Sequence, residues 1–180
     1  MKKVLFISST GGHLNELLQL SPLFEKYDYY LITEKDRTNE YLEEKYEGKV
    51  SYLPYGTRSH LIKYIFIYLY LIIKTFFLYF KIKPKVIVTT GTHTAGPMCY
   101  LGKIFGSKII YIETFANINK KTATRKINLS NSRFIYSSMG RNAKNLSKSS
   151  LWWPNFWLNK IKILLYVVER LIYFKKNICV

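Results

Sequence analysis

VLFISSTGGHLNELLQL, residues 4 to 20, decides the fold. Val4 to Ile7 is a short apolar run, Ser8 to Thr10 are small and polar, and Gly11-Gly12-His13 makes a turn. Beyond it Leu14, Leu17 and Leu18 recur at helical spacing. Strand, glycine turn and helix in that order form the opening unit of a doubly wound α/β domain. The glycines let backbone N–H groups approach a ligand with no Cβ between, and the helix directs its positive end to the same place. A phosphate or diphosphate suits such a turn. A tight β–α turn that holds nothing would use the same residues.

Outward from this unit, strands and helices alternate. Tyr27 to Thr33 (YDYYLIT) reads as a second strand, and the charged stretch Glu34 to Tyr46 is compatible with a helix. Val50 to Leu53 makes a third strand stopped by Pro54, and Val86 to Thr89 a fourth. Ala95 to Phe105 follows as a helix, with Pro97 in the first turn where proline is tolerated. Lys108 to Glu113 is a fifth strand. The pattern predicts an α/β, Rossmann-like, doubly wound parallel sheet with helices on both faces. The chain has 180 residues, enough for one domain with a real core. MKKVLFISS has the look of a leader segment, but its apolar run is too short and reads as a strand.

Net charge is +17, unevenly spread: residues 1–125 hold 18 Lys and Arg against 10 Asp and Glu, residues 126–180 hold 10 against one. Such a balance suits an anionic membrane or nucleic acid. Sixteen tyrosines and 11 phenylalanines, many beside lysines, favour a membrane interface. No arginine-rich run or nucleic-acid-binding signature accompanies them, so nucleic acid is not an expected partner. Cys99 and Cys179 have neither metal-ligand nor disulfide-framework spacing, which points to a reducing cytoplasm.

The most apolar segment is Tyr64 to Phe80, YIFIYLYLIIKTFFLYF, close in length to a membrane-spanning helix. A single crossing would put strands of one sheet on opposite sides of a bilayer, which argues against a span. Lys63, Lys74 and Lys81 fall within about 20° of one line on a helical wheel, with Tyr70 and His60 near it. A helix with this narrow basic stripe could lie in the interface, burying Ile67, Leu71 and Phe77 among lipid tails while the lysines meet phosphates. The alternative is a core crossover helix whose lysines reach solvent.

A second small-residue turn, Thr89-Thr90-Gly91-Thr92-His93-Thr94-Ala95-Gly96-Pro97, follows the fourth strand and opens a helix. Ligands of open α/β sheets bind outside the carboxyl ends of strands, so the two turns can converge on one crevice. Thr10, Gly11, Gly12 and His13 from the first turn and Thr90, Gly91, Thr92 and Gly96 from the second form a neutral cradle for a diphosphate. His13, His93 and Glu113 are the proton-transfer candidates there, though a turn histidine or a capping glutamate is equally ordinary. No catalytic triad, Walker lysine or metal-ligand cluster occurs, and without GxGxxG a nicotinamide dinucleotide is not expected. No cofactor is expected at all.

STGGHLNELLQL, TTGTHTAGPMCYLGKIFG and IYIETFANINKKTATRK together resemble the bacterial capsule and exopolysaccharide biosynthesis proteins of PssD/CpsF type. These are similar in turn to the membrane-anchor subunit of the eukaryotic dolichol-pathway N-acetylglucosaminyltransferase. The resemblance covers about residues 1 to 125. It implies the N-terminal half of a two-domain GT-B glycosyltransferase of the MurG type. This half would hold a lipid-diphosphate-linked saccharide acceptor at the cytoplasmic face of the cell membrane, while a separate catalytic partner binds the UDP-sugar donor. The resemblance places Gly11, Gly12 and His13 in the loop facing the acceptor diphosphate, Thr90, Gly91 and Gly96 in a second loop, and Glu113 in the family's ET/ES turn. Of the proton-transfer candidates already named, His13 and Glu113 are the catalytic candidates. A stand-alone small nucleotide-sugar transferase and a ligand-free membrane scaffold remain the alternatives.

From residue 126 the chain departs from that pattern. Members continue with a segment like GKLIYPIADLFIVQWEEM and end near YGG, whereas this chain reads KINLSNSRFIYSSMGRN. In the next reading frame Met139-Gly140 forces a tryptophan and Trp152-Trp153 forces two glycines, where the family pattern has them. The expectation is therefore that residues 126–180 are an out-of-frame, atypical basic tail, and that the sheet lacks a sixth strand.

Overall fold

The computed structural model describes residues 1–55, 61–91, 94–112, 132–135 and 153–173, with the backbone alone at 61–63, 132–135, 153–161 and 163. Its centre is β1 (Lys3–Ile7), whose Val4, Leu5, Phe6 and Ile7 are all buried. Burial on both faces is what an unbroken apolar run in a parallel sheet implies. β1 pairs on one side with β2 (Asp28–Glu34) and on the other with β4 (Val86–Thr89), both parallel, Ile7 standing opposite Ile32 and Thr89. With β3 (Val50–Leu53), β5 (Lys108–Ile112) and β6 (Ser132–Ile135) the sheet runs β3-β2-β1-β4-β5-β6. The chain winds outward to β3, then crosses back past β1 to β4. The order therefore reverses between β1 and β4, where a ligand crevice is expected at the carboxyl ends.

One face of the sheet is covered by α1 (Gly12–Leu18), a 3-10 turn at Ser21–Lys26, α2 (Tyr41–Lys45) and α5 (Trp153–Tyr173), which bring Leu14, Leu17, Phe24, Leu42, Val168 and Ile172 onto Val4, Phe6, Leu31 and Val88. The other is covered by α3 (Leu61–Ile82) and α4 (Gly96–Ile104), whose Leu78, Tyr79, Ile82, Met98 and Cys99 meet Leu5, Ile7, Ile32 and Ile87. α4 lies close because Gly102 has no Cβ to strike Ile87. Two boundaries differ from the sequence reading. Glu34 ends β2 instead of opening a helix, and the stretch after it breaks into a 3-10 turn at Arg37–Asn39 and the five-residue α2.

α3 corrects the lipid-facing set. Its buried side chains are Leu71, Thr75, Leu78, Tyr79 and Ile82, so Leu71 at 2 % exposure packs on the protein and not among lipid tails. Ile67 is half-buried. The exposed side chains are Ile65, Phe66, Leu69, Tyr70, Ile72, Ile73, Phe76, Phe77 and Phe80, an arc roughly opposite the buried stripe at about 100° per residue. What reads in sequence as one wide apolar face is thus two, one on the sheet and one outward. Lys74, half-buried, and exposed Lys81 sit where the two meet, and the Lys63 side chain and His60 lie outside the described residues. Tyr64–Ile82 is long and apolar enough to cross a membrane by length and composition alone.

The tail also differs from expectation. β6, from residues 132–135, pairs parallel with β5, Ile110 opposite Arg133, so β5 is not an unpaired edge. α5 puts Val168 and Ile172 into the main core, and its carboxyl end is held by Lys2, which donates to the Ile172 and Tyr173 carbonyls at 3.2 and 3.0 Å, and by Lys108, which donates to the Leu171 carbonyl. Cations at a helix carboxyl terminus are favourably placed against its dipole.

Candidate functional site

The two glycine turns meet at the carboxyl ends of β1 and β4. The Thr90 hydroxyl donates to the His13 carbonyl at 2.9 Å, joining turns that lie 77 residues apart in sequence. Gly11 adopts φ 75°, which favours glycine, and no side chain caps α1 behind it. The first intrahelical bond runs from the Asn15 N–H to the Gly11 carbonyl at 3.1 Å. A Cβ built on Gly11, Gly12 or Gly96 meets nothing within 4 Å, so the backbone at these three points borders open space. α1 has seven residues, and its dipole is correspondingly a lesser contributor than the bare backbone of the turn. α4, at nine residues, also begins without a side-chain cap, behind Ala95.

The threonines and Gly91 serve differently from the cradle expected of them. The Gly91 N–H donates to Thr89 Oγ1 at 3.0 Å, and Gly91 has φ 98° with Tyr111 so near that a Cβ would stand 2.5 Å from its hydroxyl. Its glycine is required by backbone and packing, and its N–H is already engaged. Thr94 donates to Glu34, and Thr10 Oγ1 accepts from Asn39 Nδ2 at 3.4 Å. These hydroxyls brace the turns against one another. Among the described residues of the expected cradle, those whose backbone borders open space are Gly11, Gly12 and Gly96.

His13 is half-buried, and burial holds its imidazole below the ordinary histidine range against the opposing pull of a hydrogen bond to the Thr90 backbone and of the Glu34 charge. It is neutral near pH 7, and Nδ1 is enclosed without a partner among the described residues. Ser8 Oγ and Thr33 Oγ1 are likewise buried and unpaired, one residue beyond the Ile7–Ile32 pair on neighbouring strands. An enclosed polar atom without a partner costs about 1–3 kcal/mol, and Ser8 and Thr33 lie at the carboxyl ends of β1 and β2. Thr92, His93 and Glu113 lie outside the described residues. Buried Cys99, its thiol pushed up to about 12 by desolvation, has no nucleophilic character at neutral pH.

Sequence reading passed over Glu34, Asn39, Ser8 and Thr33. For Asn39 a signal was present: Asp36 and Asn39 form a reciprocal capping box, with Thr38 N–H to Asp36 at 3.2 Å and Asp36 N–H to Asn39 at 3.1 Å, in the stretch DRTN.

No protein-family model and no curated protein matches the chain. Among solved structures it is similar to MurG of Acinetobacter baumannii, with TM-score 0.54 and 15 % identity over 74 % of this chain and 45 % of that one. It is also similar to the UDP-N-acetylglucosamine 2-epimerases of Rickettsia bellii and Methanocaldococcus jannaschii, with TM-score 0.50 in both cases and 18 % and 17 % identity, over 72 % of this chain and 36 % of each of those. The chain spans less than half the length of these proteins, and identities so low carry the fold alone. The chain therefore has an α/β, Rossmann-like, doubly wound fold, shared with one part of each of these proteins.

Proposed function

We propose that this chain is the membrane-associated, acceptor-binding subunit of a bipartite UDP-sugar glycosyltransferase of capsule or exopolysaccharide synthesis. Its acceptor is a lipid-diphosphate-linked saccharide, and a separate subunit binds the donor and carries out transfer. The observation that carries this reading is the outward apolar face of α3. Between Tyr64 and Tyr70 the α3 side chains are exposed or half-buried, with Ile65, Phe66, Leu69 and Tyr70 exposed. This amino-terminal part of α3 follows β3, at the same carboxyl edge of the sheet as the two glycine turns. Tyr100, Ile104 and Phe105 extend the exposed apolar area onto α4, with Phe80 and Phe105 rings 5.0 Å apart. Exposed aliphatic and aromatic side chains bordered by lysines suit the interface of an anionic membrane.

In this arrangement the apolar face enters the bilayer surface at the cytoplasmic side, and the acceptor's diphosphate reaches the Gly11–Gly12 backbone while its lipid stays in the membrane. His13 is the proton-transfer candidate on the described residues, neutral and able to accept a proton. The test is flotation with vesicles of anionic phospholipid, with and without a polyprenyl-diphosphate saccharide, or its monophosphate counterpart. Binding to all vesicles, tightened about tenfold or more by the diphosphate lipid alone, is expected. Equal binding with and without that lipid would leave a membrane scaffold, and no binding would dispose of both.

A further inference from the structure

Glu34 is 3 % exposed at the end of β2, among Thr94 and Asn39, both no more than 1 % exposed. Thr94 Oγ1 donates to Glu34 Oε1. Asn39 Nδ2 donates to the Glu34 carbonyl at 2.8 Å and to Thr10 Oγ1 at 3.4 Å, and the Asn39 carbonyl accepts from Tyr52 Oη at 2.9 Å. One short loop thus holds the first turn through Thr10 and the second through Thr94. A neutral side chain could accept the Thr94 bond, whereas a carboxylate adds a desolvation cost. The Glu34 charge also pulls the His13 pKa upward, against the larger lowering by burial.

We propose that Glu34 is a positioning residue of this site, bracing the second turn through Thr94 and presenting its negative charge to His13. Among the described residues Glu34 is the charge that bears on His13. β4 and its turn bring the hydroxyls of Thr89 and Thr90, Lys35 and Arg37 are exposed, and half-buried Asp36 accepts from the Thr38 N–H. Glu16 lies one turn along α1 and keeps its place in every variant below.

The test uses the full chain and needs no acceptor. His13 is titrated by NMR, its signal assigned by its loss in His13→Gln. Glu34→Gln keeps an acceptor for Thr94 and removes the charge, so the His13 midpoint should fall at an unchanged thermal midpoint. Glu34→Asp should restore most of it. Thr94→Val keeps the charge and removes the brace, so the His13 midpoint should hold while amide exchange quickens at residues 90, 91 and 95. An unmoved midpoint in Glu34→Gln overturns the electrostatic role, and unmoved exchange in Thr94→Val overturns the brace. Should Glu34→Gln fail to fold, failure of Glu34→Asp to hold the midpoint overturns the same claim. The consequence for transfer rests on the proposed acceptor reading: with the partner present, Glu34→Gln should raise the acceptor KM about tenfold more than it lowers kcat. A His13 shift without any change in transfer would sink the acceptor reading and leave the placement of Glu34 standing.

Discussion

Gly12 separates the packing of the first turn from its proposed ligand. A methyl group there meets nothing in the protein, so Gly12→Ala should change stability by less than about 0.5 kcal/mol. If the turn holds a diphosphate as proposed, the same methyl stands in its path and acceptor binding should fall about tenfold or more; unchanged binding at unchanged stability would make the turn purely structural. Gly11→Ala should cost about 1 kcal/mol or more, because φ 75° strains any residue with a Cβ. His13 gives a pH dependence whose sign follows from its lowered pKa. Below about pH 6.5 the unfolded chain takes up this proton more readily than the folded one. The His13 contribution is full above that pH and lost as pH falls through the folded value, so thermal melts from pH 7.5 to 5 should fall less steeply in His13→Gln than in the native chain. The glycines of both turns were legible in sequence, since glycine and small polar residues after an apolar run have few other reasons to be there. Glu34 was not: it opens a charged stretch, and its burial depends on Thr94, 60 residues away.

At the scale of the element, α3 makes the sharpest contrast. Phe66 and Phe77 are 68 % and 67 % exposed, and Leu71, of the same apolar character, is 2 % exposed. Replacing Phe66, Leu69 and Phe77 by serine should release the chain from vesicles in flotation and leave the thermal midpoint within a few degrees of native. Leu71→Ala should cost about 2–5 kcal/mol in denaturant unfolding and leave vesicle binding of the folded fraction intact. Release by Leu71→Ala alone, or retention by the triple variant, would contradict the division of the helix into two faces. Hydropathy could not supply that division. In a helix apolar all round, periodicity gives no phase, and Thr75 lies on the sheet while Phe77 faces outward. The strands gave more: Val50–Leu53 and Val86–Thr89 have the bounds their sequence predicts, because each is a four-residue run closed by a breaker or a polar turn.

At the scale of the molecule, residues 126–180 bear on both stability and origin. Ending the chain after residue 152 removes Val168 and Ile172 from the core, roughly 1.5–3 kcal/mol each, together with the Lys2 and Lys108 contacts at the carboxyl end of α5. A fall of ten degrees or more in thermal midpoint is expected; the exposed Lys26–Glu169 pair at 2.8 Å adds little. The proposal that these residues are out of frame is checked by sequencing the gene, where the next frame from about codon 126 should read on without a stop to the two glycines at codons 152–153. β6 and α5 were illegible because the pairing of 132–135 with β5 and the docking of α5 on α1's side of the sheet are long-range contacts with no local signature. The central claim, that the chain serves a separate transferase by presenting a membrane-held acceptor, is tested most directly by reconstituted transfer. Vesicles carrying a polyprenyl-diphosphate saccharide are given UDP-sugar with the chain, with a donor-binding partner, or with both, and the elongated lipid is weighed by mass spectrometry. Product should form at a rate at least a hundredfold higher with both proteins than with either one; a partner that elongates the lipid equally fast without this chain would contradict the claim.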